Sequence, residues 1–173
     1  MTDTIEATRV QLRELSATEA AQVVEKQTPD GQRWAAGYPL EGTLIAGGAL
    51  VRAFAAGRYR PGFGMYQIID RETGQVIGDI GFHAAPDEAG AAEIGYGIVE
   101  EFRGRGLVSE ALRALAEWAF SRPGLTELQA GTEPDHVPSQ RVLTRAGFVF
   151  TGVEDGENRY RLPRPATAGG ATP

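Results

Sequence analysis

Residues 93–112 constrain this chain more than any other stretch, because they read as a strand, a basic glycine-rich turn and a helix in immediate succession. Alternation predicts a strand that buries Ile94, Tyr96 and Ile98 on one face and leaves Ala91, Glu93, Gly95 and Gly97 on the other. Further on, Val108, Ala111, Leu112, Leu115, Trp118 and Ala119 recur at helical spacing, with Glu110, Arg113 and Glu117 opposite. Such a helix docks on a sheet and holds its N-terminus still. Between strand and helix lie Arg103, Gly104, Arg105, Gly106, Leu107, Val108 and Ser109. Two guanidinium groups flank two glycines that let the backbone come close to a ligand. The first N–H groups of the helix have no intrahelical partner and sit at the positive end of its dipole, so a phosphate is the natural ligand. Ser109 serves as an N-cap or first-turn hydroxyl aimed at the same place. A solvated loop is the plainer reading of the same turn. The dinucleotide fingerprint is approached by Gly104, Gly106 and Ser109, but it wants its first glycine directly after a parallel strand, and Glu100, Glu101, Phe102 and Arg103 intervene.

The remaining elements follow from pattern. Residues 9–15 alternate as a first strand, and Ser16 with Glu19 forms a capping box that opens a helix to about residue 26. A turn at residues 28–31 leads into an irregular stretch holding Trp34, Tyr38 and Pro39. Those two aromatics either pack on the core or form one wall of an acceptor pocket. Residues 43–56 are helical in composition despite Gly47 and Gly48, and Gly57 is a stop. Residues 65–70 and 76–83 form a hairpin, the strand at 91–98 pairs next, and a short strand at 128–132 follows the long helix. A second amphipathic helix at 139–146, strands at 148–153 and 158–162, and a tail from residue 163 without periodicity complete the chain; the tail is expected to be disordered.

The whole is a single α/β (α+β) domain over residues 1–162, with a mixed, mostly antiparallel sheet of about seven strands and helices on both faces. A chain of 173 residues buries roughly 70% of its unfolded surface and needs no metal or disulfide staple. With no cysteine, thiol nucleophiles and thiolate zinc sites are excluded, and with only His83 and His136 a histidine-built metal site is not expected. The formal net charge of −6 argues against a general nucleic-acid surface and mildly favours cationic or amine substrates. No segment reads as a secretion signal or a membrane span, so a cytoplasmic protein is the expectation.

The turn at residues 103–108 resembles the coenzyme A pyrophosphate motif of the GNAT acyltransferase superfamily, Arg/Gln-x-x-Gly-x-Gly/Ala; Val108 stands where the family prefers Gly or Ala. A second block, with Ser139, Val142, Leu143, Gly147 and Phe148 in register, resembles the family's Asn-x-x-Ser-x-x-Val-Leu-x-x-x-Gly-Phe run; His136 replaces the Asn. Together the blocks are similar to those of the ribosomal-protein Ala/Ser N-terminal acetyltransferase branch. The resemblance implies a GNAT fold and an acetyl-CoA-dependent N-acetyltransferase without metal. Its acceptor is a primary amine, either a protein N-terminus or a small molecule, and the protein is a monomer or homodimer. By the same resemblance the strand at Tyr96, Gly97 and Ile98 splays from its neighbour and pairs with the pantetheine arm, and His136 meets that arm in place of Asn. Glu93 then stands where many members keep a general base, and Ser139 or a water protonates the thiolate, because Leu143 occupies the position of the tyrosine used by other branches.

The chemistry asks for a base because an alkylammonium has no lone pair, and a carboxylate whose pKa is raised by burial accepts its proton. Glu93 among three small residues fits that role, or is a solvated strand residue. Ser139 is both a thiolate donor and the N-cap of its helix. His83 lines the acceptor pocket or is a satisfied edge residue. No Ser/His/Asp constellation with a nucleophile elbow is present, so transfer is expected to be direct, within a ternary complex. A non-catalytic CoA-binding or regulatory module is the rival reading, on the strength of Val108, His136 and Leu143.

Overall fold

The computed structural model describes residues 4–166. Strands β1 (Thr4–Glu6) and β2 (Val10–Glu14) precede helices α1 (Ala17–Val24) and α2 (Glu41–Ala55). Next come β3 (Met65–Asp70), β4 (Val76–Phe82) and β5 (Ala91–Ile98), then a 3₁₀ turn at Glu100–Phe102 and α3 (Leu107–Phe120). The chain continues through β6 (Glu127–Thr132), α4 (Val137–Arg145), β7 (Val149–Glu154) and β8 (Glu157–Pro163). All eight strands join one sheet in the order β1-β2-β3-β4-β5-β6-β8-β7. Each neighbouring pair is antiparallel except β5 and β6, which are parallel and connected through α3.

Side chains alternate across the sheet, so its two faces carry two clusters. Leu12, Ile68, Ile80, Ile94 and Leu128 pack with Leu112 and Leu115 of α3. On the other face Leu15 and Met65 pack with Ala20 and Val23 of α1 and Leu50 of α2. Helices on both faces and a single mixed sheet are therefore as expected. Gly47 keeps its place in α2 because a Cβ there would come within 2.9 Å of Val24 Cγ2, where α1 crosses.

Three expectations change. The first strand is β1 and not the segment from residue 9, giving eight strands; Thr4–Glu6 is three residues long, with only Ile5 partly buried, too short to show alternation. Half of the capping box forms: Ser16 Oγ accepts from the Glu19 N–H at 3.1 Å, while the Glu19 carboxylate is drawn to Arg13 at 2.7 Å. The first two residues of the segment expected to be disordered, 163 and 164, are held in the fold. Pro163 ends β8, and the Arg164 guanidinium donates to the carbonyls of Leu125, Phe120 and Arg122 at 2.7, 2.6 and 2.7 Å. Residues 167–173 of the expected disordered tail lie outside the described residues.

Candidate active site

β5 and β6 pair over three positions only, from Ala91↔Glu127 to Glu93↔Gln129. Beyond Glu93 the strands part: β5 stays on β4 as far as Ile98, and β6 stays on β8 as far as Thr132. The edge of β5 toward β6, residues 94–98, is thus a strand edge without a strand partner inside an otherwise continuous sheet. One side of the split is bridged by side chains, with Tyr96 Oη 2.8 Å from Ser139 Oγ and donating to the Ser139 carbonyl at 3.3 Å.

The glycine turn stands at the end of this split. Gly104 and Gly106 both take φ +76°, the left-handed region that a Cβ disfavours, and residues 103–106 are exposed. The helix ladder opens with Glu110 N–H to the Gly106 carbonyl at 3.1 Å, so the N–H groups of Leu107, Val108 and Ser109 precede it. Arg103 Nε donates to the Ile98 carbonyl at 3.2 Å, and the Arg105 guanidinium lies 4.9 Å above the Phe102 ring. Glu110 fixes the helix start to β2, accepting from the Arg9 side chain at 3.0 Å and the Val10 N–H at 3.1 Å. Of the two places expected for Ser109, cap or first turn, it takes the first turn, where it is buried, and Gly106 is the cap. Val108 is buried as well, so its branched side chain does not crowd the exposed turn.

Glu93 is not the raised-pKa carboxylate that the sequence suggested. Its Oε1 accepts from Arg159 Nη1 at 2.8 Å, and its Oε2 lies 3.4 Å from His83 Nδ1. The hydrogen bond with His83, and after it that with Arg159, outweigh partial burial and lower the Glu93 carboxyl to about 2. The space expected around it is filled. A Cβ on Gly95 would come within 2.7 Å of His83 Nε2, and one on Gly131 within 2.5 Å of Arg159 Nη1.

The carboxylate with the opposite character is Asp79 of β4. It is buried, and burial outweighs hydrogen bonds from Thr43 and Tyr38 to push its carboxyl up to about 7. Thr43, in the first turn of α2, donates to Asp79 and accepts from the Leu40 N–H at 3.1 Å. Nothing in sequence spacing marks Asp79; a lone acid amid the apolar residues of β4 was the one available signal.

A cavity of about 1040 Å³ lies between α2 and strands β3 to β5, and its wall includes Asp79, His83, Tyr96, Gly97, Ile98 and Arg103. It therefore borders the β5 side of the split and touches the glycine turn at Arg103. His83 lines it. Trp34 and Tyr38 do not: they pack edge to face at 5.3 Å, and the buried Tyr38 hydroxyl stands behind Asp79. His136 caps α4, its Nδ1 accepting from the Ser139 N–H at 3.2 Å, so the cap assigned to Ser139 belongs to His136 and Nε2 is the ring nitrogen left to meet a ligand. Among the described residues no His, Asp and Glu cluster is arranged to hold a metal, and no helix is long and apolar enough to cross a membrane.

Known proteins resemble this chain in sequence or in fold. Uncharacterized N-acetyltransferase p20 of Bacillus licheniformis is 36% identical over 88 residues, 51% of this chain and 49% of its own length. Uncharacterized N-acetyltransferase YoaA of Bacillus subtilis is 36% identical over 106 residues, 61% and 59% of the two chains. The chain thus spans about half the length of the curated relatives it matches. The solved structure of RimL, a ribosomal L7/L12 alpha-N-protein acetyltransferase in complex with coenzyme A, superposes with a TM-score of 0.66 at 23% identity, covering 93% of this chain and 98% of that one, a likeness of fold. The family model described as acetyltransferase (GNAT) domain matches residues 9–149, which takes in the split, the glycine turn and α4 together, and the chain belongs to that family.

Proposed function

We propose that this protein moves an acetyl group from acetyl-CoA to a primary amine, within a ternary complex. The observation that carries the reading is the parting of β5 from β6 at Glu93, in line with the exposed turn at the start of α3. The unpaired edge of β5 suits the amide groups of a pantetheine arm. The N–H groups of Leu107, Val108 and Ser109, with Arg103 and Arg105 beside them, suit a diphosphate. RimL, a fold neighbour solved in complex with coenzyme A, supports coenzyme A as a ligand of this fold.

When bound, acetyl-CoA supplies the thioester carbonyl as electrophile. The chain's own residues then do three things. The turn and strand edge fix the thioester beside the cavity, which removes most of the entropic cost of bringing two reactants together. The cavity holds the acceptor, and its volume admits a peptide N-terminus or a small amine. The hydroxyl pair of Tyr96 and Ser139 delivers a proton to the leaving sulfur. Titration calorimetry with acetyl-CoA, followed by thiol release across a panel of amines and N-terminal peptides, tests the reading. Micromolar to millimolar uptake, on the order of ordinary substrate constants, with acceptor-dependent release is the expected result, and absence of uptake defeats it.

A further inference from the structure

Two carboxylates stand near the split, and they differ in one respect that decides their chemistry. Glu93 is paired with Arg159 and faces His83, so its charge is already compensated. Asp79 is buried in the cavity wall, and among the described residues no cationic side chain forms an ion pair with it. Its partners are hydroxyls: Thr43 from α2 and Tyr38 from the preceding loop, the latter accepting in turn from Gln67 of β3 at 3.5 Å. Directly across the ladder on β5 stands Gly97, which presents no side chain. Opposed antiparallel residues bring their Cβ positions to about 5 Å, so Asp79 lies one strand away from the edge where the thioester is aimed. A buried carboxylate without a counter-ion is costly in a closed core, and a cavity able to admit a cation relieves that cost.

We propose that Asp79 is the docking point for the ammonium group of the acceptor and takes its proton. This rests on the acetyl-transfer reading and names the acceptor class as primary alkylamines with an apolar body, since Ala46, Ala49 and Leu50 of α2 and Met65 of β3 line the cavity with Asp79; the other acidic and basic groups of the same lining are Glu41, Arg52, Arg58, Arg60, His83 and Arg103. In the step, an Asp79 oxygen forms a bond to one ammonium hydrogen as the N–H bond breaks, leaving the nitrogen with a free electron pair. That pair forms the new N–C bond to the acetyl carbonyl carbon while the C–S bond breaks and its electrons stay on sulfur. The hydroxyl pair of Tyr96 and Ser139 gives a proton to the sulfur and is reprotonated by the second proton lost from nitrogen, and the proton on Asp79 passes to solvent. A carboxyl that titrates near neutral pH is suited to this exchange, and both of its hydroxyl donors favour the charged form.

The test uses the full chain, acetyl-CoA and a series of primary alkylamines, with release of free thiol as the readout. Asp79→Asn is expected to lower kcat/KM for the amine by roughly 10²-fold or more, with acetyl-CoA affinity by calorimetry held within about twofold. In the wild type kcat/KM climbs as pH rises through about 7, and that limb disappears in the variant. Thr43→Val removes a donor to the carboxylate and moves the limb to higher pH, a shift that loss of packing alone does not produce; it also serves if Asp79→Asn fails to fold. Wild-type turnover matched by Asp79→Asn within about threefold, with the limb intact, overturns the role of Asp79 and leaves acetyl transfer standing. Absence of amine-dependent thiol release from the wild type overturns both.

Discussion

Tyr96 Oη lies 2.8 Å from Ser139 Oγ, joining β5 to the first turn of α4 across the place where the sheet opens. Burial raises the Tyr96 pKa, against the Ser139 hydrogen bond that lowers it, so the phenol stays protonated at neutral pH and remains a donor. If this pair protonates the leaving thiolate, Tyr96→Phe and Ser139→Ala each lower kcat by about tenfold or more while acetyl-CoA affinity stays within about twofold. The double variant loses little beyond the worse single one, because the two hydroxyls act as a unit. Single-turnover kinetics check this.

Glu93→Gln is expected to damage the fold more than the rate. The substitution leaves Arg159 with Glu157, 3.5 Å away, and Glu154 as its acidic neighbours. Because the Glu93 carboxyl is lowered to about 2, its contribution to stability is present above the ordinary glutamate pKa and is lost as pH falls toward 2. The variant should therefore melt below the wild type at pH 7, with the gap closing as pH approaches 2, while turnover at pH 8 stays within about threefold. A drop in turnover with an unchanged melting temperature would restore Glu93 as the base.

The contrast between Glu93 and Asp79 shows what was legible in the chain. Local rules reach the hairpin, the long amphipathic helix and the glycine turn, since each is written within a dozen or so neighbouring residues. Strand alternation also places Glu93 correctly on a face. It cannot show that Arg159, 66 positions away, and His83 arrive on that same face and compensate its charge. Asp79 escapes for the same reason: its environment is made by Thr43, 36 residues earlier, and by the glycine opposite. Cap assignment failed at α4 for a subtler cause, because an imidazole can take the place of a serine when the helix starts at Val137.

Arg103 and Arg105 face the same task but are held differently. Arg103 bonds the Ile98 carbonyl through Nε, whereas Arg105 is stacked on Phe102 and donates to the Glu101 carbonyl at 3.1 Å. Both are exposed, so their attraction to a diphosphate is screened by salt. Replacing either by Ala should weaken acetyl-CoA binding by about tenfold and flatten its dependence on ionic strength. Arg105→Lys should not rescue, because the ammonium gives up the planar stack. Calorimetry at two salt concentrations reads both effects, and an unchanged affinity in both Ala variants would remove the turn from the binding site.

Asp79 also carries a prediction about stability that is independent of turnover. Burial raises its carboxyl from the ordinary aspartate range to about 7, so between those two values the folded protein holds a proton that the unfolded chain has released. Stability then falls as pH rises across that interval, the reverse of the trend for Glu93. The neutral form's contribution is complete below the unfolded aspartate pKa and is lost as pH climbs through about 7. Asp79→Asn keeps the volume and the hydrogen-bonding capacity while removing the charge. It should be close to wild type in stability near pH 4 and more stable by a few kcal/mol at pH 8, a change legible as a higher melting temperature. A saturating primary amine should narrow the same gap in the wild type, because an ammonium beside the carboxylate replaces the missing counter-ion and stabilises the folded state by mass action. Equal melting temperatures for the two proteins at pH 8 would mean that Asp79 is adequately compensated where it stands, and the residue would then have no need of a cationic ligand.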